Sequence, residues 1–169
     1  RFLYLPGPKY NLSQTRRYAG IMDALSEANV PVSNVRQIDY HTVFGSPVPS
    51  TSSYKSYEEL FFPVDYTAVI GFNDLQTYSA MEILKERGYR IPEDISLISF
   101  DHLRKTHTYL PPLTSIADNT DKSIADTAVS ILLDKIKNSD SKFTGAVLPV
   151  TIYDGHTTGP VNKAFETSF

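Results

Sequence analysis

The chain has 169 residues, 41% of them hydrophobic and 21% charged, with a formal net charge of −3; this is the balance of a soluble globular domain and excludes a low-complexity disordered segment. No apolar run approaches the roughly 18–20 residues that a membrane span needs, and an acidic chain makes a poor free-standing nucleic-acid module, because neutralising phosphates supplies most of such a module's affinity. With no cysteine, disulfides, thiol catalysis and Cys-built zinc sites are excluded, in keeping with a reducing cytoplasm.

Arg1-Phe2-Leu3-Tyr4-Leu5 enters a strand (Phe2–Leu5) with no initiator Met and no signal peptide ahead of it, so the chain is expected to be a fragment of a longer protein. Pro6-Gly7-Pro8 closes that strand. Ser13 is placed as the cap of a helix to about Ala28, whose Tyr18, Ile21, Met22 and Leu25 follow an amphipathic stripe. A second strand, Val35 to Tyr40, leads into a Ser-, Pro- and Thr-rich surface loop, His41 to Ser56, and a short helix, Tyr57 to Phe62. Ala68 to Phe72 is continuously apolar, as a strand buried on both faces should be. Asp74 is expected to cap the next helix, with Leu75, Tyr78, Met81 and Leu84 on one side and Gly88 at its C-terminal end. Pro92-Glu93-Asp94 turns the chain into the strand Ile95–Phe100. This β-α-β-α-β order predicts an α/β fold, a doubly wound parallel sheet with helices on both faces.

The regularity breaks after Asp101. His102 to Leu113 is aperiodic, Ser115-Ile116-Ala117 is a short extended segment, Asp121 to Asn138 is a helix with Ile124, Val129, Leu132, Leu133 and Ile136, and Ala146 to Tyr153 is a last strand. The tail after Thr158 is expected to be loose.

Parallel doubly wound sheets bind ligands at the carboxyl ends of their strands. Those ends carry Gly7-Pro8 with Arg17 just beyond, Asp39-Tyr40, Phe72-Asn73-Asp74 and Phe100-Asp101. Arg17, Asn73 and Asp101, with Tyr40 beside them, can therefore share one crevice. A guanidinium fork, an amide and a carboxylate together suit the hydroxyls of a sugar, and an aromatic face such as Tyr40 or Phe72 suits its CH face. Each residue also has a plainer reading: Asn73-Asp74 as a helix cap, Asp101 as a turn cap, Arg17 as a solvated helix residue, Tyr40 as packing. No nucleophile elbow, no phosphate-binding glycine loop and no metal-like spacing of His41, His102, His107 and His156 accompanies them, so no catalytic residue, metal or cofactor is expected.

Ala68-Val69-Ile70-Gly71-Phe72-Asn73-Asp74, Leu84-Lys85-Glu86-Arg87-Gly88, Ile91-Pro92-Glu93-Asp94-Ile95-Ser96 through Ser99-Phe100-Asp101, Pro111-Pro112-Leu113-Thr114-Ser115-Ile116, Leu148-Pro149-Val150 with Thr157-Thr158, and Arg17-Tyr18-Ala19-Gly20 occur in order over nearly the whole chain. In these segments the sequence resembles the LacI/GalR family of transcription regulators. The resemblance implies one lobe of a periplasmic-binding-protein-like (type I) core, without the helix-turn-helix domain: residues 1–117 as the C-terminal lobe, 118–147 as a crossover and a helix of the first lobe, and 148–169 as the return strand and tail. It places effector contacts on Arg17, Asn73, Asp101 and an aromatic aligned to Tyr40. Asp118 stands where some sugar-binding relatives carry Gln. It also implies a homodimer through the helix and loop bearing Tyr78, Leu103, Tyr109 and Leu110, an effector that is a sugar or sugar phosphate, operator DNA reached only through the missing N-terminal domain, a cytoplasmic location and no membrane. The alternative is a sugar-binding protein of a transport system with the same fold; a doubly wound hydrolase is disfavoured because it lacks a nucleophile motif.

Overall fold

The computed structural model describes residues 1–38, 58–105, 107–118, 123–138 and 145–166. Tyr40, the loop from His41 to Ser56, Tyr57 and the expected start of the late helix at Asp121 lie outside them. In chain order the elements are β1 (Phe2–Leu5), α1 (Leu12–Glu27), a 3-10 turn (Val32–Asn34), β2 (Val35–Gln37), β3 (Ala68–Gly71), α2 (Asp74–Glu86), β4 (Ser96–Phe100), a second 3-10 turn (Leu103–Lys105), β5 (Ser115–Asp118), α3 (Ile124–Lys137), β6 (Val150–Tyr153) and the short α4 (Lys163–Glu166).

Among the described residues the strands form one sheet in the order β2-β1-β3-β4-β5-β6. Every neighbouring pair is parallel except β5 with β6, where Asp118 lies opposite Val150. The expected parallel sheet thus carries one antiparallel edge. From β1 the chain steps outward through α1 to β2, whereas from β3 it steps the other way through α2 to β4. Right-handed crossovers in opposite directions put the two helices on opposite faces. Side chains alternate along a strand, and β1 shows the consequence. Tyr4 points to the α1 side, with its ring 5.3 Å from that of Tyr18. Leu3 and Leu5 point to the α2 side and join Val69, Leu97, Met81, Ile83 and Leu84 in the main core. All three β1 side chains are buried, the reason this segment reads as continuously apolar.

The helix starts differ from expectation. Asn11, not Ser13, caps α1, its Oδ1 accepting from the backbone N–H of Ser13 and Gln14. Asn73, not Asp74, caps α2, accepting from Gln76 N. Asp74 becomes the first helical residue. Leu75 faces solvent, while Tyr78, Met81 and Leu84 face the sheet. Gly88 follows the last turn of α2 with φ +85°, a conformation that a Cβ would strain. Over residues 159–166 the tail is not loose: Phe165 packs edge-on to Tyr89 against the core, and Asn162 donates to Asp94. In contrast, α3 buries only Thr127 and leaves Ile124, Val129, Leu132, Leu133 and Ile136 exposed.

Candidate functional site

The reversal of direction between β1 and β3 is a topological switch point, and the crevice beyond the carboxyl ends of these adjacent strands is where such sheets take ligands. Parallel pairing ends there, with Leu5 beside Gly71. Two glutamines hold the turn that follows β1. Gln14 of α1 accepts from Gly7 N (2.6 Å) and from the Tyr4 hydroxyl (2.8 Å), and Gln76 of α2 donates to Pro6 O (3.1 Å). Burial pushes the Tyr4 phenol up to about 12 even though the Gln14 bond and Arg17 pull the other way, so Tyr4 keeps its proton and stays a donor.

Anchored in this way, α1 sends Arg17, one turn beyond Gln14, across the strand ends. One guanidinium nitrogen donates to the Phe72 carbonyl, and the other donates to Asp101 Oδ1 at 2.7 Å. The guanidinium carbon also lies 4.8 Å from the centre of the Phe72 ring and 4.6 Å from that of Phe100, within cation–π range of both. Phe72 is itself pressed onto Gly7, where an added Cβ would fall 2.6 Å from the ring. It is nearly buried, so its ring supports Arg17 from below. The Arg17 and Asp101 side chains keep 24% and 41% of their exposure, which makes them a solvent-accessible pair.

The chain thus brings Arg17, Phe72 and Asp101 into contact. Asn73 adjoins them through the Phe72–Asn73 peptide, with its Oδ1 occupied by the α2 cap. Asp118 lies at the same carboxyl edge, at the end of β5 and two residues beyond the position that pairs with Phe100. Its carboxylate accepts from Ile124 N at the start of α3, and its carbonyl accepts from the Tyr153 hydroxyl. Tyr40 lies outside the described residues. Among the residues expected at a dimer face, Tyr109 is 81% exposed, Leu103 and Leu110 are half-buried, and Tyr78 is in the core with its hydroxyl donating to Pro111 O. Phe100 and Asp74 both lie at the strand ends named above, but their parts in the site are not legible there: Phe100 supplies a ring beside the Arg17 guanidinium, and Asp74 reads as a cap. Asp101 also has φ +94° and His102 φ +47°, conformations that L-residues hold only where the surroundings impose them. Among the described residues no group of three or more His, Asp or Glu side chains is placed to hold a metal ion.

A doubly wound sheet with a polar, aromatic-backed pair at its switch point has the architecture at which open α/β sheets take ligands. Comparison with known proteins agrees. The periplasmic binding protein-like domain model matches residues 1–158. The HTH-type transcriptional repressor PurR of Escherichia coli is 34% identical over 137 residues, which cover 79% of this chain and 38% of that protein. PurR of Mannheimia succiniciproducens is 29% identical over 140 residues, 82% of this chain and 40% of that protein. The chain therefore spans about two fifths of the length of these curated relatives. Among solved structures, a dimeric Lac repressor with an 11-residue C-terminal deletion matches with a TM-score of 0.73 at 25% identity, over 96% of this chain and 56% of that one. A LacI family transcriptional regulator from Enterococcus faecium with bound ribose matches with a TM-score of 0.73 at 24% identity, over 95% and 56%. The chain belongs to the periplasmic binding protein-like domain family, in its LacI/GalR branch, and corresponds to part of the effector-binding core.

Proposed function

We propose that this chain is the effector-sensing and dimer-forming part of a cytoplasmic LacI/GalR-type transcription regulator and not an enzyme. Its ligand would be a small polyhydroxylated molecule, a sugar or sugar phosphate. The observation that carries this reading is the Arg17–Asp101 pair, held between the Phe72 and Phe100 rings at the switch point. A planar donor fork beside a carboxylate acceptor satisfies vicinal hydroxyls, which donate and accept at once. Asn73 would supply further hydrogen bonding, and Tyr40 an aromatic wall. The relatives add the class: two are transcriptional repressors, one solved regulator holds ribose and another is a complex with cellobiose.

Residues 1–117 serve in this reading as the C-terminal lobe, 118–147 as a crossover and first-lobe helix, and 148–169 as the return strand and tail. The bare apolar side of α3, with Leu132, Leu133 and Ile136 exposed, supports that division, since a helix with such a stripe needs a surface to cover it. Dimerisation would use Leu103, Tyr109 and Leu110. Operator DNA would be read by a domain outside this chain, and the effector switches that domain by binding the two lobe arrangements with different affinity.

The test is a calorimetric screen of the chain against neutral sugars and sugar phosphates, repeated with Arg17→Ala. The expected result is binding of at least one such compound, lost in the variant. Binding that survives Arg17→Ala, or none across the panel, contradicts the assignment.

A further inference from the structure

The turn that follows β4 is held by a buried carboxylate with no part in the ligand contacts described above. Asp101 and His102 both have positive φ, +94° and +47°, and neither is glycine. Two successive residues in this region relax to ordinary backbone unless bonds hold them. The bonds come from below. His102 N donates to Ser115 Oγ at 2.9 Å, Leu103 N donates to Asp74 Oδ2 at 2.6 Å, and Ser115 Oγ donates to Asp74 Oδ1 at 2.7 Å. Both oxygens of Asp74 are thus engaged, and both side chains are sealed from solvent, Asp74 at 1% exposure and Ser115 at 0%. A buried carboxylate is costly unless its lone pairs are filled. Here they are filled by charge-assisted bonds, and Asp74 sits in the first turn of α2, where the helix dipole favours a negative charge.

We infer that Asp74, with Ser115, is a positioning residue for the effector site: by clamping the amides of His102 and Leu103 it locks the Asp101–His102 turn in the conformation that aims the Asp101 carboxylate at Arg17. Asp74 touches no ligand and acts through Asp101. From the other side the sheet holds the turn through the Asp101 N–H, which donates to Ile116 O at 2.9 Å, and through the His102 ring, stacked 3.9 Å from that of Tyr153. If φ of Asp101 falls back below zero, its Cβ swings and the carboxylate leaves the guanidinium. The role attributed to Asp74 as part of a binding mechanism rests on the function proposed above, whereas the clamp itself does not.

The experiment follows the amides of His102 and Leu103 and the Arg17 side-chain Nε–H by ¹⁵N NMR in the whole chain, comparing the parent with Asp74→Asn, Ser115→Ala, Asp101→Ala and Leu84→Ala. Asp74→Asn keeps the size and loses one acceptor. It is expected to speed exchange of the two amides by about tenfold or more, the loss of one charge-assisted bond, and to move the Arg17 signal towards its position in Asp101→Ala. Leu84→Ala, which loosens the core elsewhere, is expected to leave Arg17 where it is. An Arg17 signal in Asp74→Asn that coincides with the parent overturns the inference. If Asp74→Asn does not fold, Ser115→Ala is read in the same two ways: faster amide exchange with a moved Arg17 signal supports the clamp, and an unmoved Arg17 signal overturns it. D-ribose and cellobiose are then titrated into the same samples. A fall in affinity of about tenfold in Asp74→Asn agrees with the clamp, and unchanged affinity overturns it. If the parent binds neither sugar, the Arg17 signal alone decides the clamp, and the proposed function is judged by the full panel of sugars and sugar phosphates.

Discussion

Replacing Asp101 by glycine separates what this residue costs the fold from what it gives the site. At φ +94° its backbone is held in a region worth about 1–3 kcal/mol of strain for a non-glycine residue. Glycine removes that strain and adds about 0.5–1 kcal/mol of unfolded-state entropy. The lost ion pair with Arg17 is a partly exposed one, with 41% of the Asp101 side chain open to solvent, so it contributes only about 0–1 kcal/mol. The balance for Asp101→Gly lies between about −1 and +2.5 kcal/mol, with its middle about 1 kcal/mol in favour of the variant. For a domain of this size that middle value is a rise of a few degrees in Tm, at roughly 2–4 °C per kcal/mol. Asp101→Ala loses the same ion pair and keeps the strain, so it should be less stable than the parent by about 1 kcal/mol. Both variants should lose effector binding. Urea unfolding with an unchanged m value gives the ranking directly. An Asp101→Gly midpoint at or below that of Asp101→Ala refutes the claim that the turn is strained.

Gly155 lies against backbone, where an added Cβ would sit 2.2 Å from Leu113 C and 2.3 Å from Leu113 N; Gly155→Ala should therefore cost about 3 kcal/mol or more, read as a lower urea midpoint. Hydrogen bonds from the Arg90 side chain, with help from the Arg90 backbone and Asn162, hold the Asp94 carboxyl down at about 2, against an ordinary value of 3.8. A depressed folded-state value stabilises the fold above pH 4, and this contribution is lost as pH falls from about 4 to 2. Asp94→Asn should thus lower stability at pH 7 and flatten the loss between pH 4 and 2 in pH-dependent unfolding. Tyr109→Ala should shift the chain towards monomer in sedimentation, since the ring is 81% exposed and buried interface aromatics are commonly worth about 2 kcal/mol or more. Tyr78→Ala should instead lower Tm, because Tyr78 is a core residue bonded to Pro111 O.

Much of the fold is legible because its signals are long-range in composition and short-range in space. The run Phe2–Leu5 is apolar because its strand has side chains packed on both faces of the sheet, and it forms β1 with those bounds; the run Ala68–Phe72 forms β3 only over Ala68–Gly71, with Phe72 beyond the strand and its ring against Gly7. The choice between Asn11 and Ser13 is not legible. Both are good caps, and only the placement of Asn11 Oδ1 over the amides of Ser13 and Gln14 decides it. The antiparallel direction of β6 is equally hidden, since a four-residue strand looks the same in either direction. At the site, strand ends point to Arg17, Phe72 and Asp101 because the topology alone carries them to one edge. Asp74 and Ser115 escape notice because a buried acceptor network leaves no periodic trace: Asp74 next to Asn73 has the composition of any helix start. The family resemblance implies a partner-facing Tyr78, and what the sequence does not reveal is that its phenol is satisfied within the lobe by Pro111 O.

The central claim is that the ligand is taken at the carboxyl edge of the sheet by the Arg17–Asp101 pair. The most direct measurement is ¹⁵N NMR of the chain, backbone amides together with the Arg17 Nε–H, as the compound that emerges from the calorimetric screen is added. The predicted result is that Arg17, Asn73 and Asp101 shift together and saturate at the calorimetric stoichiometry, while residues at the opposite edge, such as Arg36 and Asp65, stay in place. Shifts centred on Arg36 and Asp65, or on α3, with Arg17 and Asp101 unmoved, contradict the claim.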